Sequence, residues 1–379
     1  MKGLFLMFYG FNAFNGISKK IAYQVEALRH NGIEMQICHY ETSVVDGTRT
    51  WMIDDKVLHC FGNSIRGKLR KRMDYRLIVN YIRQEHFDFV YWRSFHNANP
   101  FTIWFIRAIR RMGIPVVLEI PTYPYDHEYA SWNAKLSLLP HRLFRGLFCK
   151  YVNRIVTFSN DQSIFGVPTI SISNGIDFSQ IPLRTQLHDI SKELHLVAVA
   201  EIHFWHGYDR LIEGLHLYYQ NNPVYKVYFH LAGLLSGKRE KSEVADSITK
   251  YHLEEYVHHY GPLHGEALEQ LFDKGDFAIG SLGRHRSGIT HIKTLKNREY
   301  AARGFAFAYS ECDVDFDEMP YVLKVPADES PIDIQQVIDF CHAQTMQPQA
   351  IRESISHLSW DEQMKKVVTY LSNRINTCK

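Results

Sequence analysis

The stretch LHLVAVAEIHFWHGYDRLIEGLHLYY at residues 194–219 contains one complete strand, turn and helix, and it decides how the rest of the chain is interpreted. Residues 194–200 form a short apolar run, which is typical of a strand buried on both faces of a sheet. Residues 208–219 carry apolar side chains at helical spacing, after a polar loop that ends at Gly207. A buried strand that leads through a glycine turn into an amphipathic helix predicts an α/β fold with a parallel sheet.

The same alternation of strands and helices extends over the whole chain. In the first half we predict strands at 4–9, 33–40, 87–92, 114–120, 155–158 and 169–172, with helices at 18–30, 76–85 and 101–112. In the second half we predict strands at 194–200, 227–232, 256–260, 277–279, 305–309 and 321–325, with helices at 208–219, 240–252, 265–273 and 290–303. Two Rossmann-like, doubly wound parallel sheets in tandem are therefore expected.

The polar stretch 181–193 is the natural linker between the two sheets. We predict an N-terminal domain of residues 1–180 and a C-terminal domain of residues 190–355. A final amphipathic helix at 360–375 is expected to pack back on the N-terminal domain, so that residues 360–379 belong to it. Because ligands bind at the carboxyl ends of strands in open parallel sheets, the ligand is expected in a cleft between the two domains.

The composition is that of a soluble globular protein. The 379 residues are 45% apolar and 22% charged, which suits two domains of ordinary size. The six cysteines are scattered without a C-x-x-C pair, so neither a disulfide framework nor a structural zinc site is expected. No apolar run is long enough to span a bilayer, and the apolar start is better interpreted as a buried strand than as a signal peptide. We expect a cytoplasmic protein.

The charge is unevenly distributed along the chain. Residues 1–180 carry 22 Lys and Arg against 14 Asp and Glu, a net charge of +8, whereas the remainder has a net charge of −6. A basic half suggests an anionic partner, either an inner-membrane surface or a phosphate-bearing acceptor. Residues 142–150 also mix basic and bulky apolar side chains at helical spacing, as interfacial helices do. The alternative is that the apolar side chains face the core. Nucleic acid is not an expected partner.

Three loops carry candidate chemistry. Residues 15–20 join the first strand to the first helix through Gly16, but the G-x-G-x-x-G fingerprint of dinucleotide-binding proteins is absent. Residues 201–210 hold two histidines and an arginine after the first strand of the second domain, and no third residue is spaced to complete a metal site. Residues 280–290 combine glycines, arginines and hydroxyls before a predicted helix, which suits a diphosphate.

Two further patterns involve carboxylates. Glu299 lies inside the predicted helix 290–303, where it could accept hydrogen bonds from ribose hydroxyls; a salt bridge with Lys296 or Arg303 is the structural alternative. Asp313, Asp315 and Asp317 form D-x-D twice, a pattern that holds a metal in some sugar transferases. Because three residues are a weak match, a solvated turn is the preferred interpretation of these aspartates.

Four segments together resemble a known family. They are VLEIPTYPYD at 117–126, SNGID at 173–177, WHGYDRLIEG at 205–214 and LKNREYAARG at 295–304. With these the chain resembles the family-four retaining glycosyltransferases, especially bacterial members that build capsular or exopolysaccharide. The resemblance implies a GT-B fold, a nucleotide diphosphate sugar bound by the second domain and a glycan or lipid-linked saccharide acceptor bound by the first. It also implies retention of anomeric configuration, no cofactor beyond the co-substrate and no essential metal.

The resemblance and the loops together nominate the site residues. Four residues are predicted to be catalytic: Glu119, His206, Arg210 and Lys293. The predicted nucleotide-sugar-binding residues are Gly16, Asn174, His203, Gly207, Arg286, Ser287, Gly288, Thr290, Leu295, Lys296 and Glu299.

The chain departs from the family pattern at two points. Many members carry two glutamates separated by seven residues; Glu299 matches the second, whereas His291 occupies the place of the first. The Arg and Lys that hold the diphosphate in many members are matched here by Glu201 and His206. Arg210, Arg284, Arg286 or Lys293 could supply the missing charge. The alternatives to a transferase are an inactive relative that acts as a partner-binding subunit and a nucleotide-sugar epimerase.

Overall fold

The computed structural model describes residues 1–10, 16–126 and 132–377, and it divides the chain into two compact units. Unit 1 comprises Met1–Ser173 together with Trp360–Lys379, and unit 2 comprises Asn174–Ser359. Each unit has its own hydrophobic core around a sheet made mostly of parallel strands.

Unit 1 alternates strands and helices as predicted. Its strands are β1 Lys2–Leu6, β2 Glu34–Thr42, β3 Arg49–Ile53, β4 Lys56–Gly62, β5 Phe89–Arg93, β6 Val116–Ile120, β7 Arg154–Thr157, β8 Ser163–Ile164 and β9 Val167–Ser171. Its helices up to this point are α1 Gly16–His30, α2 Ile65–Met73, α3 Arg76–Glu85, α4 Pro100–Arg111 and α5 Trp132–Cys149. The sheet order is β4-β3-β2-β1-β5-β6-β7-β9-β8.

All six strands predicted in the first half are present, within two or three residues at each end. They pair in parallel, and residues of β5 and β6 are buried along their whole length. The hairpin β3–β4 and the short strand β8 were not predicted; they pair antiparallel at the two edges of the sheet. Helix α2 was not predicted either, and of α5 only the part from residue 142 onward was indicated by its helical spacing.

Unit 2 contains one sheet of six parallel strands in the order β12-β11-β10-β13-β14-β15. The strands are β10 Glu193–Val199, β11 Lys226–Ala232, β12 Val257–His259, β13 Phe277–Ile279, β14 Phe307–Tyr309 and β15 Val322–Lys324. The helices are α6 Tyr208–Tyr219, α7 Lys238–Lys241, α8 Ser247–Lys250, α9 Glu266–Lys274, α10 Leu295–Arg303, α11 Ile334–Ala343 and α12 Pro348–Ser354. A π segment, Ser242–Asp246, joins α7 to α8, so that the predicted helix 240–252 is interrupted.

The final helix α13, Trp360–Thr377, belongs to unit 1. It packs on α1, and its buried side chains Trp360, Met364 and Val367 join the core on that face of the sheet. The prediction that the C-terminal helix packs back on the N-terminal domain is therefore confirmed. Within the part of the chain that the structure describes, every helix falls short of the length and apolarity that crossing a membrane requires.

Candidate functional site

The sheet of unit 2 reverses its direction of growth between β10 and β13. The chain adds β11 and β12 on one side of β10, and then returns to place β13, β14 and β15 on the other side. In open parallel sheets ligands bind at the carboxyl ends of the strands at such a switch point. The residues that follow β10, β13 and β14 therefore form the candidate site.

The loops after β10 and β13 lie against each other. The Leu282 N–H donates to the carbonyl of His206 at 2.8 Å, and Nη1 of Arg286 donates to the carbonyl of Phe204 at 3.0 Å. Gly207 has a φ of +63°, and a Cβ atom there would lie 2.5 Å from the backbone nitrogen of Gly283. Only glycine therefore allows this close approach of the two loops.

The loop after β14 joins the same assembly. The Ser310 N–H donates to the carbonyl of Ser281 at 2.9 Å, and the Cys312 N–H donates to the carbonyl of Thr290 at 2.7 Å. Backbone hydrogen bonds thus connect all three loops. These bonds fix the loops, and therefore the side chains on them, relative to one another.

A buried lysine and a buried glutamate belong to this assembly. Lys296 is the second residue of α10, and Glu311 follows β14. Neither the Lys296 ammonium nor the Glu311 carboxylate has a hydrogen-bond partner among the described residues, although all three atoms are inaccessible to solvent. Burial lowers the pKa of Lys296 to about 7 and raises the pKa of Glu311 to about 7; their mutual attraction opposes both shifts. Such groups are costly to bury unless something pairs with them.

His206 adjoins this pair as a neutral imidazole. Burial lowers the pKa of His206 well below its usual value, and the charges of Lys296, His203 and Arg284 add to the effect. Nδ1 of His206 lies 2.9 Å from the backbone nitrogen of His203 and 3.2 Å from its carbonyl oxygen, and a neutral imidazole carries one N–H donor. His206 can therefore donate a hydrogen bond but supplies no positive charge. The His203 ring stacks on Trp205, with 4.2 Å between ring centroids.

Arg210 and Arg286 are both engaged by the protein. The Arg210 guanidinium is buried and donates to the carbonyls of Leu282, Pro326 and Ser330. Arg286 forms a bidentate pair with Asp209, at 2.8 Å for each bond, and a second pair with Glu329. These contacts fix the loops in place. A direct role of either arginine at a diphosphate stays a prediction.

The segment before α10 differs from its prediction. A 3₁₀ turn, Arg284–Ser287, ends at Gly288, and the helix begins only at Leu295, after the N-cap Thr294. The predicted helix 290–303 is therefore wrong in its first turn, because residues 290–292 pair with Cys312 instead. Ser287 Oγ donates to the carbonyl of Arg284 at 2.8 Å, and Thr290 Oγ1 lies 3.0 Å from Nδ1 of His291.

Two other predicted residues meet in this segment. Nδ2 of Asn174 donates to the carbonyl of Lys293 at 2.6 Å, which ties the first residue of unit 2 to the loop before α10. Leu295, the first residue of the helix, is exposed. Asn174 and Lys293 thus share one corner of unit 2, and their roles toward a ligand stay predictions.

Glu299 is ion-paired with Arg303. Its Oε1 accepts from Nε of Arg303 at 3.2 Å and from Nη2 at 3.1 Å, and Arg303 also pairs with Glu269. The structural alternative of a salt bridge is therefore present, with Arg303 rather than Lys296. About a third of the Glu299 side chain remains exposed, so the carboxylate is still accessible to a ligand.

Two nominated residues lie in unit 1. Gly16 is the first residue of α1. Glu119 is fully buried at the end of β6, where it accepts from Tyr91 OH at 2.6 Å and from Gln24 Nε2 at 2.9 Å and pairs with Arg93. This network joins α1, β5 and β6, which gives Glu119 a structural role. A catalytic role for Glu119 stays a prediction.

The D-x-D residues lie at a turn over residues 314–318, as preferred, but the expectation that this turn is solvated is wrong for Asp313. Asp313 is fully buried and accepts from Nη1 of Arg298 at 2.7 Å, and Asp315 pairs with the same guanidinium. Asp317 pairs with Lys324 at 2.7 Å. These carboxylates are held by cations of the chain itself, and among the described residues no group of three or more His, Cys, Asp or Glu could hold a metal ion.

Unit 1 has its own polar cluster beyond the ends of β5 and β6. The Tyr125 hydroxyl and Nε2 of His141 are 2.6 Å apart, and the Ala98 N–H donates to Nδ1 of His141 at 3.1 Å. The His96 ring stacks on Tyr125 at 3.9 Å between centroids. Burial lowers the pKa of His141 to about 3, so this histidine is neutral. Sequence reasoning missed the cluster because its members are spread over three segments.

Sequence reasoning also missed Glu311. Its only signal was an acidic residue directly after the apolar run FAFAYS at 305–310. The burial of Glu311 opposite Lys296 depends on how β14 and α10 pack, which the sequence does not show.

Comparisons with known proteins identify the fold. No protein-family model matches the chain, and no curated protein matches it in sequence. Solved structures do match. A glycosyltransferase from Rickettsia africae has a TM-score of 0.64 at 13% identity over 98% of both chains, and sucrose-phosphate synthase from Thermosynechococcus elongatus has a TM-score of 0.65 at 11% identity over the whole of both chains. The Anabaena protein HepE in complex with UDP has a TM-score of 0.60 at 14% identity over 98% of this chain and 100% of its own.

The predicted GT-B fold is thereby confirmed. The chain has a glycosyltransferase-type fold, and structural neighbours with this fold were solved with UDP or a UDP-sugar bound.

Proposed function

We propose that this protein is a retaining glycosyltransferase that moves a sugar, of hexose type, from a nucleotide diphosphate sugar to a glycan or lipid-linked saccharide in surface polysaccharide synthesis. The observation that carries the proposal is the pair Lys296 and Glu311, buried without hydrogen-bond partners among the described residues at the switch point of unit 2. A nucleotide sugar has the groups that both side chains lack. Its diphosphate accepts from an ammonium, and its hydroxyls donate to a carboxylate.

In this proposal Lys296 takes over the charge that Glu201 and His206 do not provide. When the bond between the anomeric carbon and the diphosphate oxygen breaks, the diphosphate takes the electron pair. A buried ammonium stabilises that charge strongly because water is excluded. Neutral His206, whose ring carries one N–H donor, adds a hydrogen bond. The acceptor hydroxyl forms the new bond on the same face and passes its proton to the departing oxygen, which retains the configuration.

The other predicted residues have positions compatible with this scheme. Glu299, three residues after Lys296 on α10, is assigned to the ribose hydroxyls. The acceptor is assigned to unit 1, where His96, Tyr125 and His141 combine aromatic faces with hydrogen-bonding groups, as carbohydrate sites require. The nucleotide sugar is the only co-substrate, and neither a cofactor nor a metal is assigned.

Calorimetry with UDP-glucose, followed by other nucleotide sugars, tests the donor site. Lys296→Met should weaken binding by about 1.5–3 kcal/mol, which is typical of a lost hydrogen bond to a charged group. Lys250→Met replaces an exposed lysine of the same unit and should leave the affinity unchanged. Equal affinities for the wild type and Lys296→Met across every donor that binds would remove Lys296 from the site and contradict the proposal.

A second candidate, an inactive relative that binds partners, is favoured by one observation: the usual clamp positions are occupied by Glu201 and His206. Transfer and hydrolysis assays with each donor that binds separate the two candidates. Donor binding that depends on Lys296, without turnover on any saccharide acceptor or water, would favour the inactive relative.

A further inference from the structure

Helix α5 exposes a continuous apolar stripe. Trp132, Leu136, Leu139, Leu143 and Leu147 follow one another at intervals of three or four residues and are all exposed, Trp132 and Leu143 by 74% and 70%. The core side of the same helix is formed by other residues, among them Leu138 and Phe148. The alternative, that the apolar side chains at 143, 144, 147 and 148 all face the core, is therefore wrong for Leu143 and Leu147.

The neighbouring helices α4 and α2 also expose apolar side chains. Helix α4 contacts both α5 and α2. It exposes Phe101 and Trp104, and α2 exposes Ile65, Leu69 and Met73 at intervals of four residues. Together the three helices carry 10 of the 24 large apolar side chains that are exposed among the described residues, although they contain only 39 residues. A concentration of this kind marks an interaction surface, whereas single exposed apolar residues are ordinary.

The charge of these helices has one sign. Helix α2 contains five Lys or Arg, and α4 and α5 contain three each, whereas none of the three contains Asp or Glu. Among the exposed basic residues are Arg66, Lys68 and Arg72 on α2, Arg111 on α4 and Arg142 on α5. Arg145 is different, because Asp126 neutralises it through a bidentate pair at 2.9–3.1 Å.

We propose that the outer face of α2, α4 and α5, the three-helix face, docks on a membrane surface that contains anionic lipid. Exposed leucine and tryptophan beside lysine and arginine, without acidic residues, fit a bilayer interface, where apolar side chains enter the acyl boundary and basic groups contact headgroups. The inference is independent of the donor site, because every residue of the three-helix face lies in unit 1.

Co-sedimentation with vesicles tests the charge. The full chain should bind phosphatidylcholine vesicles that contain phosphatidylglycerol, should not bind phosphatidylcholine alone, and should be released by salt. The variant Arg66→Gln/Lys68→Gln/Arg72→Gln should bind about a hundredfold more weakly, since each basic residue near an anionic surface contributes about fivefold. The control Lys238→Gln/Lys241→Gln/Lys250→Gln removes the same charge from exposed positions of unit 2 and should bind as the wild type does.

Tryptophan fluorescence tests insertion of the apolar stripe. Anionic vesicles should shift the emission to shorter wavelength, and Trp132→Phe should remove most of that shift without preventing sedimentation. Leu139→Ser/Leu143→Ser should reduce binding even at low salt, whereas Leu217→Ser, at an exposed leucine of α6, should not. Absence of binding to anionic vesicles at low salt, or equal loss in the unit 2 controls, would overturn the proposal, and so would preferential binding to nucleic acid or acidic protein over vesicles.

Discussion

Unit 2 contains two pairs of opposite charge, Arg298 with Asp313 and Lys296 with Glu311, whose members lie two residues apart along the chain. The two pairs differ in their hydrogen bonds. Arg298 and Asp313 are both fully buried and joined by hydrogen bonds of 2.7 and 3.2 Å, with Asp315 completing the set. Lys296 and Glu311, on the same helix and the same loop, make no hydrogen bond to each other or to any other described residue. The first pair has what a structural ion pair needs. The second pair has charged groups without hydrogen-bond partners in the described part of the chain, as a binding site does before its ligand is bound. Because the two pairs lie so close together, burial alone does not distinguish a structural ion pair from a binding site.

The largest expected effect is on the structural pair. Arg298→Ala would leave Asp313 buried and unpaired, which should cost about 3–5 kcal/mol of the free energy of unfolding. Lys296→Met replaces an ammonium that lacks a hydrogen-bond partner by an apolar side chain of similar length, and Glu311 can then be neutral because burial already raises its pKa to about 7. We expect Lys296→Met to be as stable as the wild type or more stable.

Urea denaturation of both variants beside the wild type checks this difference. A loss in Lys296→Met as large as that in Arg298→Ala would show that Lys296 is a structural cation as well. The comparison between the two pairs would then no longer hold.

The sequence indicated the site only in part. The apolar runs at 227–232 and 277–279 predicted their strands because a strand buried on both faces leaves little choice of side chain. The partners of the site arginines were not predictable. Arg286 pairs with Asp209, 77 positions away, and Arg210 with the carbonyl of Ser330, 120 positions away. These contacts depend on how the loops pack, so the sequence could show the arginines near the site but not that the fold already uses them.

Helix α5 shows the same limit. Its sequence mixes leucine and arginine with Pro140 inside the helix, so that helical spacing was noted only for residues 142–150, and both an interfacial and a core-facing orientation were left open. The alternation of exposed and buried leucines became visible only when the packing of α4 and α5 was known.

The next effect is the pH dependence of donor binding, because Lys296 and Glu311 both have pKa values of about 7. A diphosphate requires the charged form of Lys296, whose pKa burial lowers to about 7. Affinity for UDP-glucose should therefore fall as pH rises above 7, by up to about tenfold per pH unit. UDP-glucose is preferable to UDP because its diphosphate has no ionisation near neutral pH. Lys296→Arg keeps its charge and should flatten the part of the profile that Lys296 causes.

The free energy of unfolding should change with pH in the opposite direction to the affinity for UDP-glucose. The folded-state pKa of Lys296 is lowered, so between about pH 7 and its usual value of 10.5 the unfolded chain holds more protons than the folded chain. Stability therefore rises with pH in that window, and Lys296→Met should lack this rise. If wild type and Lys296→Met have parallel profiles of both affinity and stability, the ammonium is not the group that titrates.

The smallest expected effect is that of a chelator on sugar transfer. It tests whether the carboxylates that pair with Arg298 and Lys324 bind a metal. The carboxylates of D-x-D could recruit a divalent cation only if they were available. Here Asp313 and Asp315 share the guanidinium of Arg298, and Asp317 is paired with Lys324. A metal would have to displace cations that the fold has already buried, whereas Lys296 can neutralise the departing diphosphate without one. We therefore expect equal transfer rates with EDTA and with added Mg²⁺ or Mn²⁺. Complete loss of transfer in EDTA, restored by Mn²⁺, would mean that a metal rather than Lys296 carries the leaving group, and Lys296→Met would then retain most of its activity in the presence of the metal.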